Sequence, residues 1–206
     1  ERFLKYKDEL NETPLVQIKE NKMKRLMTIG ILAILNLGLS QDEKALSKMD
    51  KFVSNTGSII KLENFYQPEL KGYSEVLKVQ VRKATVGEEK AYYLQIIKED
   101  KYGNKSASIA EEDLIEVIKA YNELVKQSES EDTSADYFEN KFTTDDGFQI
   151  GYGGGKNRVW FLTLEKFGKS TVLFKGHEDI GYAINQGKNI SDELKFIDDY
   201  IFICFI

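Results

Sequence analysis

Residues 75–98, EVLKVQVRKATVGEEKAYYLQIIK, decide the fold of this chain. Their first half alternates between apolar Leu77, Val79 and Val81 and polar Lys78, Gln80 and Arg82. This period of two is typical of an antiparallel strand with one buried face. A turn follows at 86–89, and residues 92–98, rich in aromatic side chains and isoleucine, favour a returning strand. The stretch therefore predicts a β-hairpin.

The hairpin is flanked by two further predicted strands and a helix. Alternating residues at 58–68 and a short run at 105–109 supply the strands. From Ser108 the period becomes helical, and Ser108 and Glu111 have the spacing of a capping box. Residues 58–127 thus predict four strands followed by a helix.

The second half of the chain predicts the same order of elements. Strands are expected at 138–143, 148–152, 159–165 and 170–174, and a helix at 177–188. We interpret residues 138–189 as a second copy of the unit at 58–127, although hairpins and turns can look alike by chance. The predicted fold class is α+β: two antiparallel four-stranded sheets, each followed by a helix, as a pseudo-duplicated ββββα unit. A short N-terminal helix at 42–55 precedes them, and residues 41–195 form a single domain of two repeats.

The segment at 23–40, MKRLMTIGILAILNLGLS, predicts a secretory signal peptide. A methionine and two basic residues precede a short apolar core, which ends in small residues before Gln41. Residues 1–22 are then an upstream extension outside the mature protein; a cytoplasmic segment before an uncleaved anchor is the alternative. We expect a periplasmic or secreted protein with no stable membrane span after cleavage. The apolar tail at 196–206 is a last strand or a sequence artefact.

The net charge restricts the partners of the protein, and the cysteine count restricts its disulfide bonds. The chain has a net charge of −5, and removal of residues 1–40 leaves 22 basic and 29 acidic residues, or about −7. Such a charge provides no general attraction for nucleic acid or anionic lipid. Cys204 is the only cysteine, so no intrachain disulfide can form.

No motif predicts a catalytic residue, a cofactor or a metal ion. The glycine-rich run at 151–157 lacks the first glycine and the Ser or Thr of a phosphate-binding loop, so it is interpreted as a hairpin turn. His177, the only histidine, is expected in a surface or capping role. Cys204 has no activating partner nearby in the sequence.

The aromatic residues suggest a ligand surface. If Tyr92, Leu94 and Ile96 face the helix, Tyr93 lies on the opposite face of its strand, and Phe161 is its counterpart in the second unit. Together with the turn residues Tyr102 and Phe167, these side chains form the predicted ligand surface. The alternative is that the two sheets pack together and bury them.

Parts of the chain resemble known proteins. Three parts resemble a small exported family of Bacteroidota that has no assigned activity: the signal-like start, the stretch from 55–57 (NTG) through 101–114 (KYGNKSASIAEEDL), and residues 139–142 with 146–149. The repeated ββββα order is similar to Whirly and PUR-type nucleic-acid-binding folds, as a topological analogy. The leading functional prediction is an exported, non-enzymatic binding module for an unknown protein or small ligand. A hydrolase-type enzyme assembled around His177 and single-stranded nucleic-acid binding are the alternatives.

Overall fold

A computed structural model describes residues 46–54, 56–101, 103–130, 134–155, 158–166 and 170–204, with the side chains of 201–204 left out. The predicted upstream extension at 1–22 and signal peptide at 23–40 lie outside the described residues, and so do residues 41–45. The first described element is a short helix, α1, at Lys48–Val53.

The first four strands form sheet A, in which each strand pairs antiparallel with the next in sequence. Its strands are β1 (Ile60–Lys71), β2 (Val76–Val86), β3 (Glu89–Lys98) and β4 (Lys105–Ala110). The central β2–β3 hairpin closes at Gly87, whose φ of +61° suits the left-handed conformation that glycine adopts without strain. Helix α2 (Glu111–Ser130) follows directly from β4.

Sheet B repeats this plan in the second half. Its strands are β5 (Phe138–Thr143), β6 (Gln149–Gly154), β7 (Arg158–Thr163) and β8 (Thr171–Phe174), again in sequence order and antiparallel. Helix α3 (Glu178–Cys204) comes next. The predicted fold class, two antiparallel four-stranded sheets each followed by a helix, is confirmed.

Both sheets and both long helices contribute to one hydrophobic core. The alternation in β2 and β3 points Leu77, Val79, Leu94 and Ile96 inward, and sheet B adds Ile150, Tyr152, Trp160 and Leu162. The helices cross between the two units: α3, which follows sheet B, packs on β1, β2 and β3 of sheet A. In turn α2, which follows sheet A, packs on β5 and β6 as well as on β3 and β4. The two units therefore share their apolar interior.

Three helix boundaries differ from the sequence predictions. The capping box at Ser108 is wrong, because β4 continues to Ala110 and the Ser108 hydroxyl accepts a hydrogen bond from Gln95 instead (2.8 Å). Helix α1 is shorter than predicted within the described residues, since it begins only after Ser47. Helix α3 continues past the predicted end at 188 to Cys204, so a last strand within 196–204 is wrong. In the described part of the chain, every helix is too short or too polar to cross a membrane.

Candidate functional site: a lysine-lined cleft beside sheet A

Helix α1 has an N-terminal cap of its own, and two acidic side chains from other elements hold it in position. The Ser47 hydroxyl accepts a hydrogen bond from the backbone N–H of Asp50, whose carboxylate in turn accepts from Ser47, so the helix begins with a capping box. The backbone N–H of Lys48 donates to Asp146 in the β5–β6 turn (2.9 Å), and its Nζ donates to Asp113 of α2 (2.6 Å). Helix α1 is thereby tied to both repeat units.

The apolar side of α1 covers the face of sheet A that points away from the main core. Phe52 packs against Tyr93 with ring centroids 6.5 Å apart, and Tyr93 is only 4% exposed. Three small side chains make room for this contact: Ala84, Ala91 and Ala110. Beside it, the buried amides of Gln80 and Gln95 bond to each other (2.8 Å). The two-turn helix α1 therefore covers this partly polar face of sheet A and buries it.

A cleft of about 600 Å³ lies where α1, the start of β3, the start of α2 and the second half of α3 meet. Its apolar surface consists of Phe52, Tyr92 and Tyr93, with the methyl groups of Ala91 and Ala110. Four lysines from three elements line it: Lys48, Lys51, Lys90 and Lys195. Two acidic residues, Glu111 and Glu112, complete the wall. This set of residues is called the lysine cleft below.

Most charges of the lysine cleft are paired within the protein. Lys48 lies 3.3 Å from Glu112, and Lys195 forms an ion pair with Glu111. The hydrogen bond to Asp113 raises the pKa of Lys48 and keeps its ammonium charged. Lys51 is the exception: within the described residues it has no ion-pair partner, and it is exposed. The lining thus has more positive than negative charges, and one cation is available to a ligand.

Asp198 of α3 anchors one wall of the cleft. Its carboxylate accepts from Lys83 (2.6 Å) and from the Tyr92 hydroxyl, and it lies 3.1 Å from the Lys90 Nζ. Burial opposes ionisation of Asp198, but the bonds from Lys83, Tyr92 and Lys90 outweigh it and lower its pKa to about 2. Burial and the bond to Asp198 raise the pKa of Tyr92 well above its ordinary value. This wall is therefore a fixed, hydrogen-bonded surface.

Two of the four predicted ligand-surface residues lie within the described structure, on different sheets. Tyr93 lines the lysine cleft, and burial raises its pKa to about 12, so it presents a neutral aromatic surface. Phe161 lies on sheet B, 8% exposed and opposite Gly151 and Leu173 on the neighbouring strands. Tyr102 and Phe167 lie outside the described residues.

His177 occupies an aromatic corner between sheet B and α3. Its Nδ1 lies 2.8 Å from the Tyr121 hydroxyl, and its ring packs on Trp160 with centroids 5.1 Å apart. The Nε2 is 4.0 Å from the Glu178 carboxylate. Among the described side chains, no serine, threonine or cysteine hydrogen-bonds to this imidazole. The described part of the chain also contains no group of three or more His, Cys, Asp or Glu residues that could hold a metal ion.

Sequence reasoning found one residue of the lysine cleft, Tyr93, and missed the lysines. Lys48 and Lys195 are separated by almost the whole domain, and lysine is mostly exposed in folded proteins, so a lysine by itself does not indicate a site. The available signal was weak: an aromatic pair, Tyr92 and Tyr93, in a strand whose alternation placed one ring on each face. No protein family, curated protein or solved structure matches this chain significantly.

Proposed function

We propose that this protein is a non-enzymatic binding module that holds an anionic ligand in the lysine cleft. The observation that carries the proposal is the convergence of four lysines from α1, β3 and α3 around an aromatic floor. A cleft of about 600 Å³ is within the range of small-ligand sites, which combine apolar walls with a few placed polar groups. Export from the cell, suggested by residues 23–40, belongs to the same proposal; an N-terminus at Gln41 in protein recovered from outside the cytoplasm would support it.

The charge arrangement favours an anion over a cation. A ligand carboxylate or phosphate can bond to Lys51 without breaking any described ion pair. It can also share Lys48 or Lys195 with the glutamates that now hold them. A cationic ligand would have to compete with these lysines for Glu111 and Glu112. Since the protein as a whole is acidic, binding depends on this local cluster and should weaken with added salt.

The test is a titration of the protein with citrate, followed by backbone amide chemical shifts in NMR spectra. We expect shifts confined to residues of α1, the start of β3, the start of α2 and the part of α3 around Lys195. Lys51→Glu should weaken citrate binding about tenfold, the change expected when one charge-assisted contact of about 1.4 kcal/mol is lost. Lys71→Glu is the matched control, because Lys71 is also exposed and without an ion pair among the described residues, but lies outside the cleft.

Two results would contradict the proposal. One is the absence of localised shifts with citrate and with acidic peptides alike. The other is an equal loss of affinity in the Lys51 and Lys71 variants, which would mean a diffuse charge effect. The hydrolase alternative stays a separate prediction: if purified protein had a hydrolytic activity that His177→Ala abolished, the binding-module proposal would be wrong. Retention of a single-stranded oligonucleotide at physiological salt would favour the nucleic-acid alternative.

A further inference from the structure

Strand β3 is longer than its neighbour β4, and the excess lies at the lysine cleft. Pairing between β3 and β4 ends at Tyr93 and Ala110, where the chain turns into α2. On its other side β3 remains paired with β2 as far as Glu89 opposite Val86. Within the described residues, positions 89–92 therefore have a pairing partner on one edge only. The backbone groups of the other edge are left without a strand.

This unpaired edge faces the cleft. Successive side chains of a strand point to opposite faces of the sheet, so a cavity on one face contacts every second residue. The lysine cleft is instead lined by four consecutive residues, from Lys90 to Tyr93. A run of consecutive lining residues is the pattern expected when a cavity lies alongside the strand edge and reaches around both faces.

The two sides of the edge offer similar chemistry. On one side, Ala91 and Tyr93 lie next to Phe52 and Lys51 of α1. On the other, Tyr92 lies next to Lys195 of α3, whose Nζ is 5.8 Å from the tyrosine ring centre. An extended chain placed here would direct alternate side chains to these two sides. Each side has an apolar surface and a lysine.

We propose that the ligand of the lysine cleft is an extended acidic peptide segment, which adds to the free edge of β3 at residues 89–92. This inference depends on the proposed function and specifies its ligand class. Main-chain hydrogen bonds to β3 supply affinity independent of sequence, as in other cases of strand addition. The lysines on both sides select for acidic side chains. An open strand edge is a template for pairing, and lysines beside it also discourage indiscriminate pairing with apolar chains.

The first test uses an acetylated and amidated pentapeptide, Asp-Val-Asp-Val-Asp, with Lys-Val-Lys-Val-Lys as its control. Calorimetry should show binding of the acidic peptide and none of the basic one. In NMR spectra, amide protons at alternate positions within 89–92 should move downfield and exchange more slowly. The lysine substitutions described above should affect this peptide as they affect citrate.

The second test separates main-chain pairing from charge. Two versions of the acidic peptide carry two N-methyl groups each, at residues 2 and 4 or at residues 3 and 5. Only alternate N–H groups of an added strand face its partner, so one version should lose about tenfold in affinity or more, while the other keeps most of it.

The outcomes distinguish this inference from the function on which it depends. If citrate binds in the cleft but the acidic peptide does not, or if both methylated peptides bind as well as the parent, strand addition is wrong and anion binding stands. If neither citrate nor the peptide shifts residues of the cleft, both proposals are wrong. Tighter binding of a ten-residue oligothymidylate than of the peptide at the same amides would also overturn the peptide proposal.

Discussion

At the scale of single residues, two glycines of α3 lie where the helix approaches its neighbours most closely. A Cβ built on Gly187 would lie 2.7 Å from a methyl group of Leu94 in sheet A. One built on Gly181 would overlap the end of the Tyr121 side chain, including its hydroxyl oxygen. Both positions are buried. Glycines that lower the helical propensity of this segment therefore permit its close packing.

Gly181→Ala should destabilise the protein, although alanine is the better helix former. The propensity gain of about 1 kcal/mol is outweighed because Tyr121 must move, losing its hydrogen bond to His177. We expect the free energy of unfolding to fall by about 1–3 kcal/mol, as in other overpacked cores. Urea denaturation measures this. The control is Asn189→Ala on the exposed side of the same helix; a Gly181 variant as stable as this control would contradict the packing argument.

At the scale of elements, the second half of α3 is held on sheet A by charge as well as by apolar contact. Asp198 is only 12% exposed, and Lys83, its partner on β2, is 13% exposed. Tyr92 of β3 donates to the same carboxylate. Because these partners stabilise the ionised form of Asp198, the attachment of α3 depends on pH.

Asp198→Asn should remove a pH-dependent part of the stability. The folded-state pKa of Asp198 is about 2, below its ordinary value of 3.8, so its contribution is complete above pH 4 to 5 and is lost as the pH falls towards 2. In urea titrations, the wild-type advantage over Asp198→Asn should shrink by about 2 kcal/mol between pH 6 and pH 2. Glu123→Gln, an exposed carboxylate on α2, is the control. If the difference in unfolding free energy between the wild type and Asp198→Asn did not vary with pH, the charge of Asp198 would make no contribution to stability.

At the scale of the whole molecule, the crossing of the helices makes the two ββββα units interdependent. The Tyr121 ring of α2, a helix that follows sheet A, lies 6.2 Å from Trp160 in sheet B. Meanwhile α3, which follows sheet B, covers Leu94 in sheet A through Gly187. Neither unit can bury its sheet with its own helix alone. The two units should therefore fold together.

Leu94→Ala in sheet A should shift the unfolding of sheet B as well. Trp160 is the only tryptophan and reports on sheet B through its fluorescence, while far-UV circular dichroism reports on both units. Leu94 is fully buried, so its truncation should cost about 2–5 kcal/mol. We expect the unfolding midpoints from the two signals to shift by the same amount, so that the two unfolding curves still coincide. The prediction would be contradicted if the unfolding midpoint from Trp160 fluorescence were unchanged while the unfolding curve from circular dichroism became biphasic. Leu62→Ala, on the exposed face of β1, is the control.

The local pattern of the sequence was sufficient for the fold class and for the inward faces of the strands. Alternation in β2 and β3 identified Leu77, Val79 and Leu94 as core residues, because an apolar face of a strand is buried whichever element covers it. It did not identify the burial of Gln80 and Gln95 on the opposite face, which α1 covers. The predicted hairpin at 75–98 is present as β2 and β3, and in both sheets each strand pairs antiparallel with the next in sequence.

The tertiary structure alone decided which helix covers which sheet, and with it the lysine cleft. Neither the packing of α3 on sheet A nor the docking of α1 over Tyr93 is encoded in a local period; both depend on how residues far apart in sequence fit together. The cleft brings together Lys51 and Lys195, which are 144 positions apart in the sequence, beside the part of β3 that extends beyond its pairing with β4. A sequence pattern reports the buried face of an element, whereas the partner of that face is settled by shape and charge across the whole chain.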